Sequence, residues 1–109
     1  MKTKPIKGVS NFDFTISGKI LRVDNISDAC GKCFNKIIVL KYASSECVLL
    51  FNEVAGIICE NGGSMCHLSI LSFEMGVPCV LGVVEASTLV SGQDVSITSV
   101  GGEALIYEN

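Results

Sequence analysis

Three short apolar runs constrain this chain more than anything else in it: residues 37–40 (IIVL), 57–59 (IIC) and 79–81 (CVL). The first is the compact kind of strand found buried in a sheet, and the other two read as its successors. Helical segments fit between them. Ser44 or Ser45 can cap a short helix through about Val54, with Val48, Leu49 and Phe51 turned inward and Gly56 ending it. Asn61-Gly62-Gly63 is a sharp turn, and Ser64 is an N-cap for a helix running to Met75. Gly76 then terminates that helix and Pro78 forbids its continuation.

The ends differ in character. Residues 18–24 (GKILRVD) read as a first strand, and residues 24–36 as a loop or short helix. Residues 93–99 alternate through Val95 and Ile97, Gly101-Gly102 turns, and residues 103–107 return as a second strand. The middle is strand–helix–strand–helix–strand, so the expected class is α/β with antiparallel strands at the ends and a C-terminal β-hairpin. At 109 residues the chain reads as one domain, residues 1–109.

Composition removes several function classes. Hydrophobic residues make up 49% of the chain, yet Lys41, Glu46, Glu53 and Glu60 interrupt the apolar stretches well short of the roughly 18 residues a membrane span needs. No long apolar segment follows the basic N-terminus, which argues against a secretory signal. The net charge is −3, Arg22 is the sole arginine and there is no Trp, so neither a basic stripe nor a stacking platform for nucleic acid is visible. Of the six cysteines, Cys47, Cys59 and Cys79 sit in apolar runs, where Cys behaves as a small hydrophobe; a reducing cytoplasm is expected.

The only histidine, His67, lies three residues beyond the proposed cap in Glu60-Asn61-Gly62-Gly63-Ser64-Met65-Cys66-His67. A helix start exposes unpaired N–H groups and the positive end of the helix dipole, which together bind phosphate. Two glycines upstream let the backbone turn tightly and a bulky donor approach. Phosphohistidine chemistry needs that combination with an accessible ring nitrogen. By position alone, a lone histidine at a helix start is more often an ordinary surface or satisfied core residue.

The surrounding residues decide between them. Gly62-Gly63-Ser64-Met65-Cys66-His67-Leu68-Ser69-Ile70, followed by Glu74-Met75-Gly76-Val77-Pro78-Cys79-Val80-Leu81-Gly82, resembles the swivelling phosphohistidine domain of phosphoenolpyruvate-utilising enzymes. That family includes phosphoenolpyruvate synthase, pyruvate phosphate dikinase and enzyme I of the sugar phosphotransferase system. The resemblance extends through residues 36–40, 54–60, 92–95 and Gly101-Gly102, nearly the whole chain. It implies a three-layer β/β/α domain with a mostly parallel central sheet. It also implies a mechanism, in which an ATP-grasp domain phosphorylates the histidine and the domain swings to a second site where an acceptor such as pyruvate takes the phosphoryl group. By this match His67 is the nucleophile, and Gly62, Gly63, Ser64 and Cys66 form the phosphate-binding turn. ATP and Mg are expected on a partner domain, in trans or in a longer chain, as is the site for phosphoenolpyruvate, pyruvate or another acceptor. This chain has no P-loop and is too short for an ATP-grasp or TIM-barrel domain.

Three positions depart from the family pattern. Phe73 stands where Arg is common, Met65 replaces a Thr that is a regulatory phosphorylation site in dikinases and synthases, and Asn61 replaces a frequent Arg. His67 and Glu74 share a helical stripe but lie roughly 10 Å apart along the axis, so Glu74 cannot orient the imidazole directly. Met65, Leu68, Leu71 and Met75 form one apolar flank and Cys66, Ile70 and Phe73 another; both are expected to pack. Cys30-Gly31-Lys32-Cys33 is a C-x-x-C motif without the second pair a structural zinc site needs, and a strand follows it where a thioredoxin-like site has a helix. Cys66 and His67 are adjacent on a helix and point about 100° apart, which disfavours a thiol–imidazole pair. The competing reading of the whole chain is a catalytically silent domain of the same fold, serving as an interaction or scaffold module.

Overall fold

The computed structural model describes residues 5–10, 12–29, 31–42, 45–62 and 67–108. Among the described residues, seven strands and two α-helices run in the order β1 (Ile6–Val9), β2 (Phe14–Arg22), α1 (Ile26–Ala29), β3 (Ile37–Leu40), β4 (Gly56–Cys59), α2 (His67–Met75), β5 (Cys79–Val80), β6 (Asp94–Val100) and β7 (Glu103–Glu108). Two 3-10 helices, Ser45–Leu50 and Val84–Thr88, follow β3 and β5.

The strands form one sheet in the order β1-β7-β6-β2-β3-β4-β5. It is mixed, which corrects the expectation of a mostly parallel sheet. Pairings β2–β3, β3–β4 and β4–β5 are parallel, whereas β1–β7, β7–β6 and β6–β2 are antiparallel. The cause lies in the connections. Helical crossovers carry the chain back between parallel strands, while the tight turn at Gly101-Gly102 can only reverse it. Strand β2 belongs to both halves, pairing with Ser99 through Asp94 along one edge and with residues 37–39 along the other.

The sheet curls until its edges meet. Val9 and Leu81 exchange backbone hydrogen bonds of 2.9 and 2.8 Å, an antiparallel bridge that joins β1 to the end of β5. Closure at this point needs Gly8, because a Cβ there would strike the Val80 and Val83 side chains. The interior is filled from all seven strands, with Ile6, Ile20, Ile37, Val39, Ile58, Val80, Val95, Ile97, Ala104 and Ile106 all buried. Alternation along β3 and β4 sends Ile38, Leu40, Ile57 and Cys59 to the opposite face. There α2, α1 and the 45–50 segment cover them with Leu68, Ile26, Ala29, Cys47 and Leu50. Strands β3 and β4 are buried residue by residue, as their uninterrupted apolar sequence requires.

The 45–50 segment is a 3-10 turn and not the longer α-helix its sequence predicts. At three residues per turn, Cys47 and Leu50 stack on one side and are buried. Leu49, expected inside, is 67% exposed; Phe51 is buried and Val48 partly so.

Helix α2 carries a second correction. Its buried face is narrow, made of Leu68, Ser69 and Ser72, and the small serines let it lie close to the sheet. Leu71 packs partly against this core, but Met75 of the first expected flank at 50% exposure, and Ile70 at 43% and Phe73 at 56% of the second, face outward; Met65 and Cys66 lie outside the described residues. The Phe73 ring lies with its centroid 6.1 Å from that of Phe12, the two planes tilted by 59°. Gly76, with φ of 71°, ends the helix: Gly76 N–H donates to Phe73 O and Val77 N–H to Ser72 O, the paired bonds of a Schellman motif.

Candidate functional site

The site grows from the carboxyl ends of the parallel strands, the end at which parallel α/β sheets and barrels place ligands. Strand β4 ends at Cys59, but its pairing with the β3 side continues. Glu60 N–H donates to Leu40 O at 2.9 Å, and Asn61 N–H donates to Lys41 O at 3.1 Å. The chain then enters the turn at Gly62, whose φ of 115° suits only glycine.

A second loop closes over the first. After β5, Val83 N–H donates to Cys59 O at 3.1 Å, which brings Gly82 against the turn. Gly82 has a φ of 65°, and a Cβ on it would lie 3.3 Å from Gly62 O. Gly82 is thus part of the site on geometric grounds. The sequence pattern held it as the last glycine of the motif but gave no reason for it, since the partner it must admit lies twenty positions earlier in the chain.

His67 is the first residue of α2 and is exposed. Leu68, next to it, is wholly buried in the outer core and fixes the start of the helix against the sheet. His67 is the first described residue of α2, and the residues immediately before it lie outside those described. Of the four residues assigned to phosphate, Gly62 is placed at the turn; Gly63, Ser64 and Cys66 lie outside the described residues, as do Met65 and the proposed Ser64 cap.

These positions share a pattern with known proteins. Residues 34–102, more than half of the chain, match the family described as PEP-utilising enzyme, mobile domain. The chain belongs to that family. A protein of Methanothermobacter thermautotrophicus named as a probable phosphoenolpyruvate synthase is 32% identical over 104 residues, covering 94% of this chain and 15% of that protein. The phosphoenolpyruvate synthase of Synechocystis is 27% identical over 92 residues, covering 83% of this chain and 11% of the synthase. The chain thus spans only a small part of the relatives it matches.

As a mobile domain, the chain has solved neighbours in shape. The crystal structure of Thermococcus kodakaraensis aconitase X contains a chain that superimposes with a TM-score of 0.62 at 19% identity, over 97% of this chain and 98% of that one. Muramoyltetrapeptide carboxypeptidase from Oxalobacter formigenes gives 0.65 at 14% identity, over 99% of this chain and 50% of that one. At such identities the likeness is one of fold alone.

Other candidate chemistry falls away from His67. Cys33, Cys47, Cys59 and Cys79 are all buried in the outer core, as part of its packing. Cys30, the first cysteine of the C-x-x-C motif, lies outside the described residues. Among the described residues, no cluster of His, Cys, Asp and Glu is arranged to hold a metal ion, and no helix is long and apolar enough to cross a membrane. A cleft of about 360 Å³ lies between the ends of β2 and β3, bordered by Asp24, Asn25, Leu40, Lys41 and Tyr42, with His67 outside its lining.

Proposed function

We propose that this mobile domain is a phosphoryl carrier on His67. An imidazole nitrogen forms an N–P bond as the donor's P–O bond breaks, and an acceptor oxygen later displaces that nitrogen from phosphorus. The donor is an ATP-grasp-type site with ATP and Mg, and the acceptor is pyruvate or a related small molecule; both sites lie on other domains. The phosphotransferase activity accordingly needs those domains, and the swivelling of this one carries phosphate between them.

One observation supports the reading above others. The single histidine of the chain is exposed on α2, five residues after Gly62, the glycine on whose carbonyl Gly82 closely packs. A transferring phosphoryl group needs such exposure, and N–H groups at a helix start favour its charge. The family membership and the phosphoenolpyruvate synthases among the relatives point to the same chemistry.

The test supplies ATP and a phosphoenolpyruvate synthase whose own mobile-domain histidine has been replaced, and follows acid-labile phosphate on this chain. Label is expected on the native chain and none on His67→Ala, with unfolding unchanged within about 0.5 kcal/mol, as for an exposed side chain. A silent scaffold of the same fold gives no label on either, and that outcome would refute the carrier.

A further inference from the structure

Among the described residues, helix α2 carries an apolar row that the fold leaves uncovered. His67, Ile70 and Phe73 succeed one another at intervals of three residues, so they form one ridge along the helix. All three are exposed, Ile70 by 43% and Phe73 by 56%. The row continues off the helix. The Phe73 ring lies beside half-buried Phe12, whose centroid is 5.3 Å from that of Phe14 on β2. A histidine, an isoleucine and three phenylalanines thus follow one another from α2 to the start of β2.

Packing within the domain uses the other face of α2, where Leu68, Ser69 and Ser72 are buried. The outward row answers to the chemistry of His67. Resting on the carrier reading above, the ATP that phosphorylates His67 is held on another domain, and that domain must reach the imidazole. In the matched synthases this chain covers 15% and 11% of the length, and the rest is available for such a domain. A transient protein contact still covers roughly 500–600 Å² of each partner, a patch about 13 Å in radius. Ile70 stands about 4.5 Å and Phe73 about 9 Å from His67 along the helix axis, so a domain seated on His67 covers both. Helix α2 has no Lys or Arg with which to attract the donor's phosphates, and Glu74 is its only acidic residue. We propose that the row Ile70–Phe73–Phe12 is the docking surface for the ATP-binding donor domain, which meets it with an apolar patch, His67 lying at one end of the contact. A protruding aromatic ring seated in a complementary pocket is the kind of contact that dominates the energy of a small interface. It also expels water from around the imidazole, where water competes for the phosphoryl group.

The test follows labelling of this chain by ATP and the histidine-replaced synthase while the concentration of the chain is varied. Phe73→Ser and Ile70→Ser are each expected to raise the half-saturating concentration about tenfold, with the rate at saturation little changed. The difference should persist from low to high salt, because an apolar contact is not screened. Potassium phosphoramidate, a donor too small to dock, isolates the imidazole: its nitrogen bonds phosphorus, the donor N–P bond breaks, and ammonia leaves with the imidazole proton. The serine variants are expected to lose with the synthase and not with phosphoramidate, and Phe73→Leu, which stays apolar, recovers most of the affinity. Native half-saturation in both serine variants overturns the proposal, as does an equal loss with the two donors. Sedimentation in which the native chain pairs with itself and Phe73→Ser does not assigns the row to a second copy, and overturns it too. In each of these failures the native chain still takes label from ATP. If the carrier reading itself fails, it takes none.

Discussion

The two faces of strands β3 and β4 are built differently. The inner face closes on itself, with isoleucine and valine from all seven strands locked by sheet hydrogen bonds around the ring. The outer face is covered by short helical pieces and packed with isoleucine and valine mixed with cysteine, leucine, phenylalanine and alanine. His67 is carried by the outer layer on α2, while the chain leaving β4 and the chain leaving β5 are tied by backbone bonds, Glu60 and Asn61 to Leu40 and Lys41 and Val83 to Cys59. A histidine can thus be exposed on a thin helical cover while Leu68, next to it, is buried against the sheet. The difference separates stability from presentation.

Paired truncations at buried positions give the strongest way to break that comparison. Ile58→Ala inside the ring and Leu68→Ala beneath α2 each remove a fully buried aliphatic side chain, and each is expected to lower unfolding free energy by about 2–5 kcal/mol in urea titrations. Phosphorylation of the folded fraction should persist in Ile58→Ala and fall in Leu68→Ala, because only the latter seats the residue beside His67. Equal rates in the two variants would show that the layers are not functionally distinct.

A smaller effect is expected at Gly82. Gly82→Ala forces a side chain into a left-handed conformation and against Gly62 O, destabilising the fold by about 1–2 kcal/mol. The displaced turn should also slow label transfer to His67. A loss of stability with an unchanged transfer rate would remove Gly82 from the site and leave it a purely structural glycine.

The smallest effect belongs to Phe73. Phe73→Ser removes a ring that is 56% exposed and touches Phe12, so thermal unfolding should move by less than about 0.5 kcal/mol. A larger loss would mean that the outward face of α2 contributes to the core after all.

Much of this arrangement was legible in the residues. The runs at 37–40 and 57–59 could be read as buried strands because continuous apolar sequence has no exposed face to offer, and the tail hairpin announced itself by alternation around two glycines. The start of β2 and all of β1 were not legible. Residues 14–17 alternate with polar positions, and β1 is four residues whose pairing partner, β7, lies at the other end of the chain. A strand that short is decided by its neighbour.

The same division holds for the site. The sequence by itself determined that the lone histidine follows Gly62-Gly63 by a few residues, and that the segment carries the pattern of the mobile-domain family, since those signals are local and contiguous. Only the tertiary structure decided that the sheet is mixed and closed by Val9 and Leu81, that Ile70 and Phe73 face outward, and that Asn61 bonds Lys41 while Gly82 meets Gly62. Each of these depends on which strand lies beside which. Periodicity records which residues avoid water, whereas the identity of a neighbour across the sheet emerges only when the whole chain closes.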